Sequence, residues 1–180
     1  MSSRDEIILS SAQELFLRYG IGRTTMADIA QAAGVARQTL YNAYPNKDEV
    51  LRAVIRASTQ QSLSLVQSTW ATLPDLPSKI DFYFEQGPIV WYDVTANSPD
   101  AAEVIDGANV TAKDEVAQAM AAWTEMFHLL FQEAGAANPS VMADFFVSSS
   151  KTAKYDVADR DVLLDRLATL KEATLALLNK

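Results

Sequence analysis

The sequence predicts an all-α fold, in which an N-terminal three-helix helix-turn-helix domain precedes a larger helical domain, with about nine helices in all. Apolar residues recur every three or four positions through most of the chain, as they do on one face of an α-helix. No segment of any length alternates apolar and polar residues with the two-residue period of a half-buried strand. The chain has 180 residues, of which 49% are hydrophobic, and this is enough for a substantial core.

Local start and stop signals delimit the helices of the N-terminal part. An apolar stripe predicts a first helix, which Gly20 ends. Thr25 and Asp28 have the spacing of a capping box, so a second helix begins there and stops at Gly34. Asn46 precedes an acidic first turn and predicts the start of a long fourth helix. The predicted helices span 5–19, 25–33, 36–43 and 47–70.

Prolines divide the rest of the chain. Pro74 and Pro77 interrupt the helical pattern, and Pro88 predicts a kink. We therefore expect a helix-turn-helix domain over 1–46 and a second helical domain over 47–180, with helix 47–70 linking the two. The later helices are predicted over 78–96, 99–107, 111–134, 139–156 and 159–179.

Composition excludes several kinds of chemistry. The chain has no cysteine and one histidine, His128, so thiolate metal sites and multi-histidine sites are impossible. No nucleotide-binding or hydrolase motif is present, and we expect neither an enzyme nor a bound cofactor or metal. No apolar run approaches the ~20 residues of a membrane helix, so we expect a cytoplasmic protein with no membrane contact.

Charge is distributed unevenly along the chain. The formal net charge is −8, although residues 1–57 carry seven basic side chains against six acidic ones. The remaining residues therefore account for −9, and this asymmetry indicates that the two parts have different tasks.

The segment 24–47 has the pattern of a helix-turn-helix motif. Two short helices are separated by a glycine-containing turn, and Ile29, Ala30 and Leu40 offer the small apolar contacts that such a pair needs. The second helix presents a series of polar side chains suited to base edges and phosphates. The alternative is an ordinary helical hairpin with a solvated polar face. The polar series is Arg37, Gln38, Thr39, Tyr41 and Asn42.

Residues 1–57 resemble the DNA-binding domain of the TetR family of bacterial transcriptional regulators. The resemblance implies that Thr24, Thr25 and Lys47 hold DNA phosphates and that Arg37, Gln38 and Asn42 face bases. It also implies that Thr39 and Tyr41 contact the backbone or thymine methyl groups. Ala36 stands where the family has a Ser or Thr helix cap. The matching residues are Ala12, Leu15, Phe16, Gly20, Thr24, Thr25, Asp28, Ile29, Ala30, Ala33, Gly34, Val35, Thr39, Leu40, Tyr41, Tyr44, Lys47, Val50 and Leu51.

Aromatic residues are concentrated in the second domain. They predict either plain core or an apolar ligand cavity between helices, and TetR relatives commonly bind an effector there. The acidic excess of this domain favours an apolar or aromatic small molecule over a strongly anionic one. The candidate ligand-binding residues are Phe84, Trp91, Trp123, Phe127 and His128.

The last two helices carry apolar stripes that could pair within one chain or between two. Because a single helix-turn-helix reads few base pairs, we expect a homodimer on double-stranded, palindromic operator DNA. The candidate interface residues are Val141, Phe145, Phe146, Ser149, Leu163, Leu167, Leu170 and Thr174.

These observations predict a DNA-binding regulator, specifically a homodimeric repressor released by a small-molecule effector. The alternative is a dimeric helical ligand-binding or enzymatic protein whose N-terminal module serves only packing.

Overall fold

The computed structural model describes residues 3–96 and 110–178, and within these ranges the regular structure is helical throughout. The helices of the N-terminal part are α1 (Ser3–Tyr19), α2 (Met26–Ala32), α3 (Arg37–Ala43) and α4 (Lys47–Trp70). They confirm the predicted order. The predicted helix over 99–107 lies outside the described residues.

The C-terminal part continues with α5 (Leu76–Phe84) and α6 (Val90–Ala96), which a π-helical turn over Glu85–Ile89 joins. It ends with α7 (Lys113–Glu133), α8 (Pro139–Thr152) and α9 (Arg160–Leu178). Pro88 lies inside the π turn, so the break predicted there is present.

The described chain divides into two compact units. The first contains the described residues of Met1–Gln61 and Val94–Gln118, and the second those of Ser62–Asp93 and Ala119–Lys180. Both α4 and α7 contribute residues to each unit.

The core of the first unit joins α1 to the helix-turn-helix. Ile8, Ala12 and Phe16 on α1 are buried together with Ile29 and Leu40 from α2 and α3. The Tyr44 ring packs against this cluster, and partial burial raises the pKa of its hydroxyl. Ala30 on α2 and Ala33 directly after it are buried in the same cluster, where their small side chains allow the helices to approach closely.

The core of the second unit is built around aromatic rings. Phe127 and Phe146 are fully buried, and their ring centroids lie 4.5 Å apart. Tyr83 packs edge-on against Phe127 at 4.7 Å, and Trp70 does so at 5.2 Å. Leucines of α9 complete the cluster, which burial of apolar and aromatic surface stabilises.

Candidate nucleic-acid interface

The start of α2 is fixed by a reciprocal capping box. The Asp28 backbone N–H donates to Thr25 Oγ1 at 3.2 Å, and the Thr25 backbone N–H donates to Asp28 Oδ2 at 2.9 Å. The Thr25 hydroxyl also donates to Asp28 Oδ2, and both contacts keep the pKa of this carboxyl below its usual value. The box confirms the helix start predicted from the sequence.

The turn between α2 and α3 is a Schellman motif. Val35 N–H donates to the Ala30 carbonyl at 3.0 Å, and Gly34 N–H donates to the Gln31 carbonyl at 3.1 Å. Gly34 has φ +65°, a conformation that glycine adopts without steric cost. Ala36 then occupies the N-cap of α3 and makes no side-chain cap, as the sequence indicated.

Helix α3 separates an apolar side from a polar one. Leu40 is fully buried against the core, whereas Arg37, Gln38, Tyr41 and Asn42 are exposed. Gln38 Nε2 donates to Asn42 Oδ1 at 2.8 Å, so the two amide side chains are held side by side along one helical turn. Thr39 is partly buried and is not part of the core cluster that contains Leu40. The arrangement gives α3 donors, acceptors and one cation on a single exposed face.

The Thr24 hydroxyl is used inside the first unit. Its side chain is 3% exposed, and its hydroxyl donates to the Gly20 carbonyl at 2.8 Å. The hydroxyl is therefore not available to a phosphate, and the phosphate contact that the resemblance implies for Thr24 stays a prediction for its backbone N–H. Thr25 remains exposed at the start of α2, with its hydroxyl engaged by Asp28.

Lys47 lies at the start of α4, and its ammonium faces the loop between α1 and α2. Nζ donates to the carbonyl oxygens of Ile21, Gly22 and Thr24, the last at 2.9 Å. An ammonium has three donors, so these carbonyls account for all of them. The geometry indicates that Lys47 fixes the loop that carries Thr24 and Thr25.

The five candidate ligand residues do not form one cluster. Phe84 and Phe127 are buried and belong to the aromatic core, and Trp123 reaches that core at its contact with Tyr83, with ring centroids 5.2 Å apart. Trp91 instead has the ammonium of Lys154 above its ring, and His128 Nδ1 lies 3.1 Å from Ser140 Oγ.

The described structure does not bring Trp91, Phe127 and His128 together at one cavity, and the ligand site stays a prediction. A fully buried ring such as Phe127, packed against four others, fills the core. Phe84 also borders an open groove of about 290 Å³ between α5 and α9, together with Asp81, Glu85 and Leu164.

The candidate dimer residues divide into two groups. Val141 and Phe145 on α8 are 70% and 55% exposed, and Ser149 is partly exposed. The other five are buried within the second unit, so they lack the surface that a partner subunit would contact. This corrects their assignment to an interface. The buried five are Phe146, Leu163, Leu167, Leu170 and Thr174.

Sequence reasoning missed the polar contact inside the aromatic core. The hydroxyl groups of Tyr83 and Ser150 lie 3.0 Å apart, and Ser150 also donates to the Val147 carbonyl. Burial raises the pKa of Tyr83 to about 12. A serine that faces inward within the run Ser148–Ser150 has no sequence signal to distinguish it from its neighbours.

Metal-ligand clusters and membrane spans are both absent from the described ranges. Within 3–96 and 110–178 no three His, Cys, Asp or Glu side chains are grouped as metal ligands would be. No helix in these ranges is long and apolar enough to cross a membrane.

A helix-turn-helix pair with an exposed polar second helix, followed by an all-helical unit, defines a class of DNA-binding transcriptional regulators. Residues 8–54 match the model of the bacterial regulatory proteins of the tetR family. Residues 8–54 therefore form a DNA-binding domain of the type found in the tetR family.

The match to a curated relative covers about a quarter of the chain. The chain is 42% identical over 48 residues to the HTH-type transcriptional regulator TtgR of Pseudomonas putida. This stretch is 27% of the chain and 23% of that relative.

Solved structures resemble the chain over nearly its whole length. The fatty acid degradation regulator FadR from Bacillus halodurans superposes with a TM-score of 0.71 at 16% identity, over 99% of this chain and 96% of that one. A TetR-family transcriptional regulator from Agrobacterium tumefaciens gives 0.70 at 16% identity, over 95% and 97%. At these identities the likeness establishes the fold.

Proposed function

We propose that the protein is a homodimeric transcriptional repressor that binds a palindromic operator and is released by a small-molecule effector. The observation that carries the DNA-binding part is the division of α3, where Leu40 is buried and Arg37, Gln38, Tyr41 and Asn42 are exposed. A helix anchored from one side and polar on the other is what the major groove accommodates.

The exposed side chains of α3 have complementary tasks. Arg37 donates to guanine or phosphate oxygens, and the amides of Gln38 and Asn42 pair with adenine edges. Thr39 and Tyr41 contact the sugar–phosphate backbone or thymine methyl groups. Because Gln38 donates to Asn42, the two amides are coupled, and losing one changes the orientation of the other.

Operator selection tests these roles. We expect Gln38→Ala and Asn42→Ala each to relax base preference at one position of each half-site, with a loss of ~1–3 kcal/mol for the preferred base. The double variant should lose less than the sum of the single losses, because the amides are coupled. Gln67→Ala on α4 is the matched control, since Gln67 is exposed but lies in the other unit. Unchanged base preference in both α3 variants would refute the assignment.

Lys47 contributes to operator binding by positioning the α1–α2 loop. Its three carbonyl contacts leave no donor for a phosphate. Lys47→Met should therefore weaken operator binding without changing its dependence on salt concentration. Loss of a phosphate contact would instead reduce the slope of log K against log salt by about 0.9. A slope reduced by that amount would show that Lys47 touches DNA.

Dimerisation uses the exposed face of α8 together with α9. Val141, Phe145 and Ser149 are spaced four residues apart and so share one helical face. Ser149 also borders an open groove of about 300 Å³, which Arg166 of α9 lines from the other side. A twofold interface would bury this apolar face against its own copy.

Effector binding belongs to the second unit, and its effect on DNA binding is geometric. A dimer reads two half-sites ~34–36 Å apart, so a ligand that changes the separation of the two α3 helices releases the operator. Thermal-shift screening of small molecules, followed by operator release with each hit, tests this part. A set of ligands that stabilises the protein but never affects operator binding would argue against it.

A further inference from the structure

Lys154 is a partly buried lysine placed between two aromatic rings. It follows α8, and its Nζ lies 5.8 Å from the ring centroid of Trp91 on α6 and 5.5 Å from that of Tyr155. Within the described residues its ammonium makes no hydrogen bond and no ion pair. Lys154 therefore has a partly buried positive charge that contacts two aromatic rings and that no anion among the described residues pairs with.

The turn that carries Lys154 is held rigidly. Arg166 on α9 donates to the carbonyl oxygens of Ala153, Tyr155 and Asp156, at 3.1, 2.7 and 3.1 Å. Asp156 takes a positive φ of 52° at the end of this turn. These contacts fix the backbone on both sides of Lys154, so its position does not depend on a flexible loop.

The charges around Lys154 do not neutralise it. Asp93 is the acidic residue of α6, and it pairs with Arg160, with Oδ1 and Nε 3.0 Å apart. Burial lowers the pKa of Lys154 to about 8, and the nearby Lys151 acts in the same direction. With this pKa the ammonium is still protonated near neutral pH, and within 3–96 and 110–178 no carboxylate is paired with it.

We infer that Lys154 and Trp91 bind the carboxylate end of an aromatic effector, with the ammonium donating to the carboxylate and the indole packing against the ligand ring. A single ammonium matches a single negative charge, and the indole face provides apolar contact for a flat ring. The acidic excess of residues 58–180 favoured an uncharged effector, but the charge at the binding site decides affinity. The inference rests on the proposed function, because it names the class of effector.

Calorimetric titration with 2-naphthoate tests the inference, and 2-naphthamide serves as the uncharged control of the same shape. We expect the wild-type protein to bind the carboxylate at least tenfold more tightly than the amide. Lys154→Met should remove this difference, and Lys154→Arg should retain most of it. Lys79→Met on α5 is the control for a lysine elsewhere in the same unit. The melting temperature of Lys154→Met should equal or exceed that of the wild type, because an unpaired, partly buried charge is removed.

Two outcomes would overturn the inference. One is a wild-type protein that does not prefer the carboxylate, and the other is a Lys154→Met variant that keeps the preference. Operator binding is measured in parallel on the same samples. A protein that binds operator but not 2-naphthoate would contradict this inference alone. Lys154-dependent binding of the carboxylate without any operator binding would contradict the proposed function but support the anion site.

Discussion

Phe145 and Phe146 are neighbours on α8, and the structure predicts opposite consequences for their replacement. Phe145 is 55% exposed, whereas Phe146 is fully buried and in contact with the rings of Tyr83, Phe84, Phe127 and Phe131. We expect Phe145→Glu to abolish the proposed dimer while leaving the subunit folded. Phe146→Ala should destabilise the subunit itself.

The magnitudes follow from burial. Roughly half of the ~200 Å² of a phenylalanine is open at Phe145, so covering it in a dimer contributes at most ~2.5 kcal/mol per subunit. A twofold interface contains the residue twice, and this gives ~5 kcal/mol, before the added cost of burying the two glutamates. Removing the Phe146 ring from the core costs ~3–5 kcal/mol of unfolding free energy. That is a large part of the ~5–15 kcal/mol that holds a typical domain together.

Sedimentation velocity and thermal unfolding distinguish the two effects. For Phe145→Glu we expect a monomer at micromolar concentration, weaker operator binding and cooperative unfolding of the remaining monomer. For Phe146→Ala we expect a lower melting temperature first, with any loss of assembly following from it. A Phe145→Glu protein that remains dimeric, or that unfolds as easily as Phe146→Ala, would show that the exposed face of α8 is not the interface.

Four further substitutions test three local features. Ala36→Ser adds the missing side-chain cap at the start of α3 and should raise the unfolding free energy by ~0.5–1 kcal/mol. Urea denaturation measures this gain, and an unchanged unfolding free energy would mean that the serine hydroxyl does not cap the helix. The hydrogen bonds from Thr25 lower the pKa of the Asp28 carboxyl in the folded state below its ordinary value of 3.8. The ionised carboxylate therefore stabilises the folded protein above pH 3.8, and this stabilisation is lost as the pH falls through the pKa of the folded state. Asp28→Asn should therefore flatten the acid limb of the stability curve, and an identical limb would contradict the capping role. Ser150→Ala should lower the unfolding free energy by ~1–3 kcal/mol, because it leaves the buried Tyr83 hydroxyl without a hydrogen-bond partner. Tyr83→Phe removes that hydroxyl and should lower the unfolding free energy by only ~0.5–1.5 kcal/mol. A larger loss for Tyr83→Phe than for Ser150→Ala, measured by calorimetry, would refute this reasoning.

The helices and their ends were predictable because their signals are local. The Thr25–Asp28 capping box, the glycine after α2 and the break at Pro88 each depend on residues a few positions apart. Such contacts form between neighbouring residues independently of the tertiary structure, so they can be recognised from the sequence alone. The exposed face of α3 follows from the burial of Leu40, which the helical period also predicts.

The sequence does not show which apolar side chains are buried and which polar groups form hydrogen bonds inside the protein. Phe145 and Phe146 lie in the same apolar segment, and the packing partners that bury one of them come from distant parts of the chain. Thr24 and Lys47 match a family pattern, but their donors satisfy carbonyl oxygens of a loop whose path the pattern does not specify. Whether Phe127 lines a cavity or fills a core depends on volume, and periodicity contains no information on volume.

The helix-turn-helix unit is not a contiguous fragment of the polypeptide. Ala112, more than fifty positions beyond the family match, is 1% exposed within the same apolar cluster as Leu40, and Arg56 forms an ion pair with Glu115 at 2.8 Å. A peptide ending at residue 61 would keep every α3 side chain proposed to contact DNA, yet it would have a methyl-sized void and an unpaired arginine. The compact unit that contains α3 is therefore complete only when the chain extends to residue 118, about two thirds of its length.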